Sequence, residues 1–486
     1  MRRVVIVGAG PAGLAAARAA GRVGAQVTLI DTADGVGGQY WRQPPCDPPP
    51  AIAHRAPIPH RPEQFAHLRD HVVTGGAEIL TSTEVCAVEP TDDGVRLVTA
   101  TGEPDAVGRR VRVHEPDAVV LATGAHDRMM PFPGWELPGV YAAGAAQGFA
   151  RGEGIAMGRR VIVAGTGPFL LPVAAALVDL GSTVVGVHEA NRLGCLARGW
   201  LNRPWELVTA LGKVGELAAY AAALRRGRVP WRAGQGVVAA HGDGRLEAVT
   251  VAHLDARWRP VPGSRRQVEV DALCVGYGFA PRLELALAAG CALTPGRFVA
   301  ADRDMRTSAP GVWAAGEITG IGGVDGALAE GTIAGWSAAG GRVDAPWIQT
   351  ARRRRHRADA FAERLAVAHA IGGGWTDWLT DATVLCRCEE TTVGRLREVI
   401  HETGTADARA VKLAARVGLG PCQARMCGWA VSALAADADP SAHLDFRPIA
   451  APVRLGDLAR LAPQPSDTST PSTPSTPSDP PERRNP

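Results

Sequence analysis

Residues 1–31 read MRRVVIVGAGPAGLAAARAAGRVGAQVTLID, and their order decides the fold. The apolar run at residues 4–7 follows two arginines but stops at a glycine loop, too soon for a signal-peptide core, and reads as a first strand. The loop supplies Gly8, Gly10 and Gly13; an alanine-rich helix former closed by Gly21 follows, and a second strand ends at Asp31, 23 positions after Gly8. Glycine is required at those three places because the turn is tight, the backbone must approach a pyrophosphate, and the helix must lie close on its strand. A carboxylate at Asp31 stands where ribose hydroxyls are accepted. Strand, loop, helix, strand and acid together predict a Rossmann-like dinucleotide-binding domain.

The pattern recurs at residues 159–189, RRVIVAGTGPFLLPVAAALVDLGSTVVGVHE. Gly165 and Gly167 repeat the first two glycines, and Glu189 stands 24 positions after Gly165. Leu170 occupies the place of the third glycine, which predicts a helix set further from its strand. Glu189 would repel a 2′-phosphate, so these residues favour NAD over NADP. They leave open another nucleotide, or a degenerate fold that holds none.

Near the other end, Cys386 and Cys388 enclose one residue and Cys422 and Cys427 enclose four, with 33 residues between the pairs. Four thiolates suit an iron–sulfur cluster or zinc; a pair enclosing a single residue fits structural zinc less well. The remaining cysteines, Cys46, Cys86, Cys195, Cys274 and Cys291, have no such spacing and read as small core residues. His126, in GAHDR, reads as a structural histidine.

The chain has 486 residues, 46% of them hydrophobic and 58 of them glycine, enough for two or three domains with real cores. A net charge of +3 gives no nucleic-acid footprint. No stretch approaches the roughly 18 apolar residues of a spanning helix. Nine cysteines without an export signal read as thiols or metal ligands, which places the expected chain in the cytoplasm. The proline-rich stretch at 42–62 predicts an extended surface loop, the basic stretch at 351–370 a helical linker, and the Ser/Thr-Pro repeats from 463 a disordered tail.

The duplication resembles the flavoproteins with two dinucleotide-binding domains, in which the first site holds FAD and the second NAD(P)H. DGVGGQYWRQ looks like that family's paired-glycine segment, which puts Gly37, Gly38 and Gln39 near the FAD. DAVVLATGAHDR, with Thr123 and Gly124 at its turn, resembles the crossover between domains, and DALCVGYGFAP its return. TSAPGVWAAGEITGIGG resembles the closing FAD motif, in which Gly316 and Glu317 stand at the turn; the acid is Glu where Asp is commoner, and the family implies that it touches the ribityl chain. A helix is expected from Asp325 or Gly326, its N-terminus favouring negative charge on the flavin. The superfamily's disulfide reductases carry a redox-active cysteine pair after the first acid, where this chain has Cys46 alone.

CRCEE and GPCQARMCG resemble the small 2Fe-2S domain related to bacterioferritin-associated ferredoxin, which implies that Cys386, Cys388, Cys422 and Cys427 are all cluster ligands. There Thr391 or Thr392 would start a helix, and Gly418 and Gly420 would bend the loop around the sulfides. The expected architecture is α/β: an FAD domain at 1–116 and 297–350, an inserted second nucleotide domain at 117–296, a linker helix at 351–378, a mainly helical 2Fe-2S domain at 379–445, a segment at 446–462 and the tail. PFPGWELPGVYAAGAAQ and GTGPFLLPVA narrow the resemblance to the flavoprotein subunits of opine oxidases, hydrogen cyanide synthase and proline or hydroxyproline dehydrogenases. That group implies an electron-transferring role in a hetero-oligomer. Its implied partners are an FAD subunit like D-amino-acid oxidase, which oxidises the amine, and a small ferredoxin-like subunit. Two other readings stand beside it: a self-sufficient NADH dehydrogenase, and a redox-sensing or iron–sulfur-handling protein.

Overall fold

The computed structural model describes residues 1–42, 61–91, 94–202, 214–342, 344–405, 407–435 and 449–461; Cys46, nearly all of the proline-rich stretch and the tail from 463 lie outside them. The first domain is built on five parallel strands in the order Val312–Ala314, Ala118–Leu121, Arg3–Val7, Gln26–Ile30, Glu78–Leu80. Their β-branched runs are buried, as parallel strands covered on both faces require. On one face the helix Pro11–Arg22 lies against the helix Gly323–Ala338. Gly331 and Gly335, one turn apart, make the contact: a Cβ on either would stand 2.0 Å from the carbonyl oxygen of Ala12 or Ala16. The first helix runs past Gly21 to Arg22, and its left-handed exit is at Gly24. An antiparallel sheet, Thr83–Thr91, Gly94–Thr101 and Arg110–His114, completes the domain.

The second domain repeats the plan with parallel strands in the order Trp231–Ala233, Thr183–Glu189, Arg160–Gly165, Ala272–Gly276, Val140–Ala142. A three-stranded antiparallel sheet, Gln235–His241, Ala248–His253 and Arg266–Glu269, is appended to it. The chain passes between domains on two short strands that pair antiparallel, Ala125–Asp127 and Phe279–Pro281. Ala118–Leu121 therefore belongs to the first sheet, and the helix Glu284–Ala288 returns its leucines to the first domain's core, so the crossings lie at residues 122–127 and 277–283.

The helix Pro346–Ala368 leads through the 3-10 turn Gly373–Trp378 to a hairpin, Val384–Cys386 and Thr391–Thr392, and the helices Val393–Thr403, Ala408–Ala415 and Gly428–Leu434. Thr392 starts the first of these, its hydroxyl accepting from the Arg395 amide at 3.2 Å. This cysteine-bearing module shares one core with the second domain: Trp135, Trp258 and Trp378 are continuous with Leu385, Val393 and Val431. Among the described residues no helix is long and apolar enough to cross a membrane.

Candidate functional site

In the first loop, two of the three glycines, Gly8 and Gly13, answer a contact that a side chain would break. Gly8 has φ +103°, and a Cβ there would lie 2.3 Å from the Ala122 oxygen; on Gly13 it would lie 1.7 Å from the Gly8 oxygen. Gly10 ends the loop at the helix N-terminus and meets only Gly38 within 4 Å, so its outer face is open to a ligand. Gly37 and Gly38 come up beside it: the Gly37 amide donates to Ala9 oxygen at 2.8 Å, and a Cβ on Gly38 would stand 2.8 Å from the Gly10 Cα. Gln39 next to them is exposed. Asp31 accepts from the Ala9 amide at 2.5 Å and from the Ala33 amide at 2.8 Å. A carboxylate offers about four lone-pair sites, so two directions remain for ribose hydroxyls. This cradle fits an FAD.

The closing motif is braced by a residue that local reading missed. Gly316 has φ +84°, and its amide donates to Glu330 Oε2 at 2.8 Å, as does the Thr319 hydroxyl at 2.7 Å. Arg355 of the linker helix stands 3.3 Å from the other oxygen. Burial pushes the Glu330 carboxyl up to about 6 against these partners. Glu317 accepts from the Gly323 amide at 2.9 Å, and the helix starts there, two to three residues before the expected Asp325 or Gly326. The carboxylate expected on a ribityl chain thus caps the helix. At the crossover the Thr123 hydroxyl donates to the Arg282 oxygen at 2.9 Å, and Gly124 has φ +72°.

The second loop is built on the same lines. Gly165 has φ +137°, with a Cβ 1.8 Å from the Gly276 oxygen, and Gly167 has φ +111°. With Leu170 in the third place the first turn opens: the Leu170 amide reaches Gly167 oxygen, three residues back, at 3.3 Å, and the helix begins only at Leu170. Glu189 is 2% exposed and accepts four hydrogen bonds: Thr166 Oγ1 at 2.7 Å, the amides of Asn191 and Gly167 at 2.9 Å, and His369 Nδ1 at 3.2 Å.

The four cysteines separated in sequence are brought together in two pairs. Cys386 and Cys427 are in hydrogen-bonding contact, and so are Cys388 and Cys422. The Cys427 thiol, then the amides of Gly418, Glu389 and Cys388, bring the Cys386 thiol well below its usual range; the Cys427 thiol is raised by the same contact and by burial. Gly418 has φ +77°, and a Cβ on Gly420 would fall 2.3 Å from the Cys388 Cβ, so the loop closes on the thiols only with glycine there. Among the described residues no three His, Cys, Asp or Glu side chains gather around a single ion.

The quartet lies against the crossover. His126 donates through Nε2 to the Arg425 oxygen at 3.2 Å, Arg425 pairs with Glu284, and Trp135 Nε1 donates to the Val384 oxygen at 2.6 Å. Arg387 lies over the Trp135 ring at 5.3 Å and Arg128 over Trp429 at 5.5 Å. His126 is thus a docking residue, and burial lowers its affinity for a proton. Of the other cysteines, Cys86, Cys274 and Cys291 are buried and Cys195 is half-buried.

This chain is 33% identical over 444 residues to the hydrogen cyanide synthase component HcnB of Pseudomonas aeruginosa, covering 87% of this chain and 90% of that one. It is 32% identical to an opine oxidase subunit of Rhizobium meliloti, covering 94% and 98%. Among solved structures, L-proline dehydrogenase from P. horikoshii shares the fold at a TM-score of 0.66 and 19% identity, over 94% of this chain and 79% of that one. With residues 2–340 matching the family described as pyridine nucleotide-disulphide oxidoreductase, whose members bind FAD and NAD(P), the chain belongs to that family and is an FAD-dependent oxidoreductase.

Proposed function

We propose that this chain is the electron-transferring flavoprotein subunit of a multi-subunit amino-acid or opine dehydrogenase, with FAD on the first fold and a 2Fe-2S cluster on Cys386, Cys388, Cys422 and Cys427. The observation that carries the reading is the docking of a paired cysteine quartet on the crossover that follows Thr123 and Gly124. The names of the two relatives, each one component of an oxidase or synthase, support a hetero-oligomer. A bound flavin exchanges electrons in pairs or singly and a bound cluster singly, so the two together link amine oxidation to one-electron acceptors.

The chain's own residues supply position. Gly8, Gly10 and Gly13 bring backbone and a helix N-terminus against the pyrophosphate, Asp31 keeps lone pairs for ribose, and Glu330 fixes the closing loop. Glu330 also meets Arg355, so the same carboxylate ties the flavin loop to the helix that leads to the cysteines. Arg425 and Trp135 hold the quartet on the crossover. Amine specificity is assigned to a partner of the D-amino-acid-oxidase kind, and electrons leave to a quinone or dye-like acceptor.

Anaerobic purification of the chain alone tests this. The expected product carries one FAD, two irons and two sulfides per chain, by about the stoichiometry of a single cluster, and gives a reduced-cluster EPR signal with dithionite. Cys388→Ser and Cys422→Ser should remove that signal and leave the FAD. Material free of iron and sulfide, or an isolated chain that oxidises an opine or amino acid at full rate, overturns the proposal.

A further inference from the structure

We infer that the second glycine-loop fold is not a pyridine-nucleotide site in this protein but an internal clamp, in which the ribose-binding acid holds the chain's own segment at 369–374. This stands apart from the electron-transfer reading, since it concerns who occupies Glu189 and not who reduces the flavin.

Glu189 accepts from Thr166, Gly167, Asn191 and His369, which fills the capacity of a carboxylate. Three of these residues, Thr166, Asn191 and His369, are themselves held by further side chains or backbone. Trp200 Nε1, which only donates, reaches His369 Nε2 at 3.3 Å; that nitrogen is therefore the acceptor, and Nδ1 carries the hydrogen given to Glu189. Asn191 Nδ2 donates to Thr166 Oγ1 at 2.9 Å and to the Ala370 oxygen at 3.1 Å, while its Oδ1 accepts from Trp258 Nε1 at 3.2 Å. The network closes on itself with Glu189 at its centre.

Packing seals the same place. A Cβ on Gly199, in the helix Leu193–Leu201 that follows Glu189, would lie 2.4 Å from the Ala368 Cα, so the last turn of the linker helix rests directly on it. The Trp200 ring meets Phe361 at 5.6 Å and His369 at 5.9 Å. Further on, a Cβ on Gly372 would lie 2.5 Å from the Trp258 ring, and the Gly374 amide donates to the Arg257 oxygen at 2.6 Å. An adenosine ribose has neither a free acceptor nor room at Glu189. The pyrophosphate side is also poorer, because the helix starts only at Leu170, three residues after Gly167, whereas the first fold's helix starts at Pro11, directly after Gly10. The clamp instead fixes the start of the segment that carries Trp375, Trp378 and the cysteine module.

Two measurements on the full chain decide it. Equilibrium dialysis with labelled NAD+ and NADP+, and anaerobic stopped-flow mixing with NADH and NADPH, are expected to show no saturable binding and no flavin bleaching. Stoichiometric binding or bleaching overturns the inference while leaving iron content and partner-dependent turnover, which test the electron-transfer reading, untouched. In His369→Ala and Trp200→Phe, limited proteolysis between residues 346 and 378 should accelerate by about tenfold as that segment opens more often, with FAD content unchanged. Unchanged cleavage in both variants overturns the clamp. Glu189→Gln should behave as His369→Ala does, and the two milder variants keep the test open if it fails to fold.

Discussion

Asp31 and Glu189 occupy the same place in two copies of one fold, and each accepts from a loop amide and from the amide two residues on: Ala9 and Ala33 for Asp31, Gly167 and Asn191 for Glu189. They part over the remaining lone pairs. Asp31 is partly exposed with two directions open, whereas Thr166 and His369 take both at Glu189, which is 2% exposed. The loop amides show that either carboxylate is needed to brace its own turn. Binding a ribose is a second use, and it survives only where the rest of the chain leaves the acid in reach of solvent.

The sharpest way to break this comparison is at the third position of each loop. In Gly13→Ala the methyl would stand 1.7 Å from the Gly8 oxygen, so the loop or the helix must move; we expect loss of bound FAD and roughly 3 kcal/mol of stability, read by flavin absorbance and denaturant unfolding. Leu170→Ala leaves a cavity in the second domain and should cost about 2–3 kcal/mol with FAD retained. If Leu170→Ala sheds the flavin as readily as Gly13→Ala, the two folds are not doing separate jobs.

Asn191→Ala comes next. It removes the donor to Thr166 and Ala370 and leaves the Trp258 indole N–H, a buried donor, without its acceptor. Three lost bonds, of which one strands a buried group, predict a loss of about 2–3 kcal/mol. Its counterpart in the first fold, Ala33, meets Asp31 through its amide alone and has no such side chain to lose. Thermal unfolding with FAD content measured in parallel checks this, and a shift under about 0.5 kcal/mol would mean the network is ornamental.

Much of this was readable from residues alone, and the reason is locality. The glycines of both loops, the acids 23 and 24 positions on, and the Thr392 cap are set by neighbours in the chain. The two cysteine pairs stand out in the sequence because their spacings are local, while the contacts that join Cys386 to Cys427 and Cys388 to Cys422 cross 33 residues and have no local signal. Leu170 signalled that the second loop differs, and the delayed helix is that signal's structural form. What closes Glu189, however, comes from His369, 180 positions away, and no periodicity encodes it. Glu330 was hidden in the same manner: it lies in the body of a helix read for its N-terminus alone, and its duty to Gly316 and Arg355 exists only once three segments meet.

Glu330 gives the first fold its own buried carboxylate. Burial raises Glu330 from the ordinary 4.5 to about 6, so the folded chain holds this proton more tightly than the unfolded one does. The stability this contributes is full below about pH 4.5 and is lost as the pH climbs through about 6, a change on the order of 2 kcal/mol. Glu330→Gln does not titrate and keeps an acceptor for Gly316 and Thr319. Its stability relative to the parent chain should therefore rise by that amount across the window, measured by unfolding at stepped pH. A flat difference would show that Arg355 already holds the carboxylate ionised in the fold.

The smallest expected effect tests the last carboxylate of the first fold. Glu317 accepts from the Gly323 amide at the start of the helix Gly323–Ala338, so Glu317→Gln keeps a hydrogen-bonding oxygen there and loses the attraction between a full charge and the helix N-terminus. That interaction contributes about 0.3–1 kcal/mol, a shift of a few degrees at most in a chain this size, with FAD affinity unchanged within about twofold. A tenfold loss of FAD affinity, about 1.4 kcal/mol, at unchanged stability would instead mean that the carboxylate leaves the helix and reaches the flavin's ribityl hydroxyls when FAD binds. In that event the first fold would hold its ligand with two acids, Asp31 at one end and Glu317 at the other, and its contrast with the sealed second fold would be wider than the contacts of Asp31 alone make it.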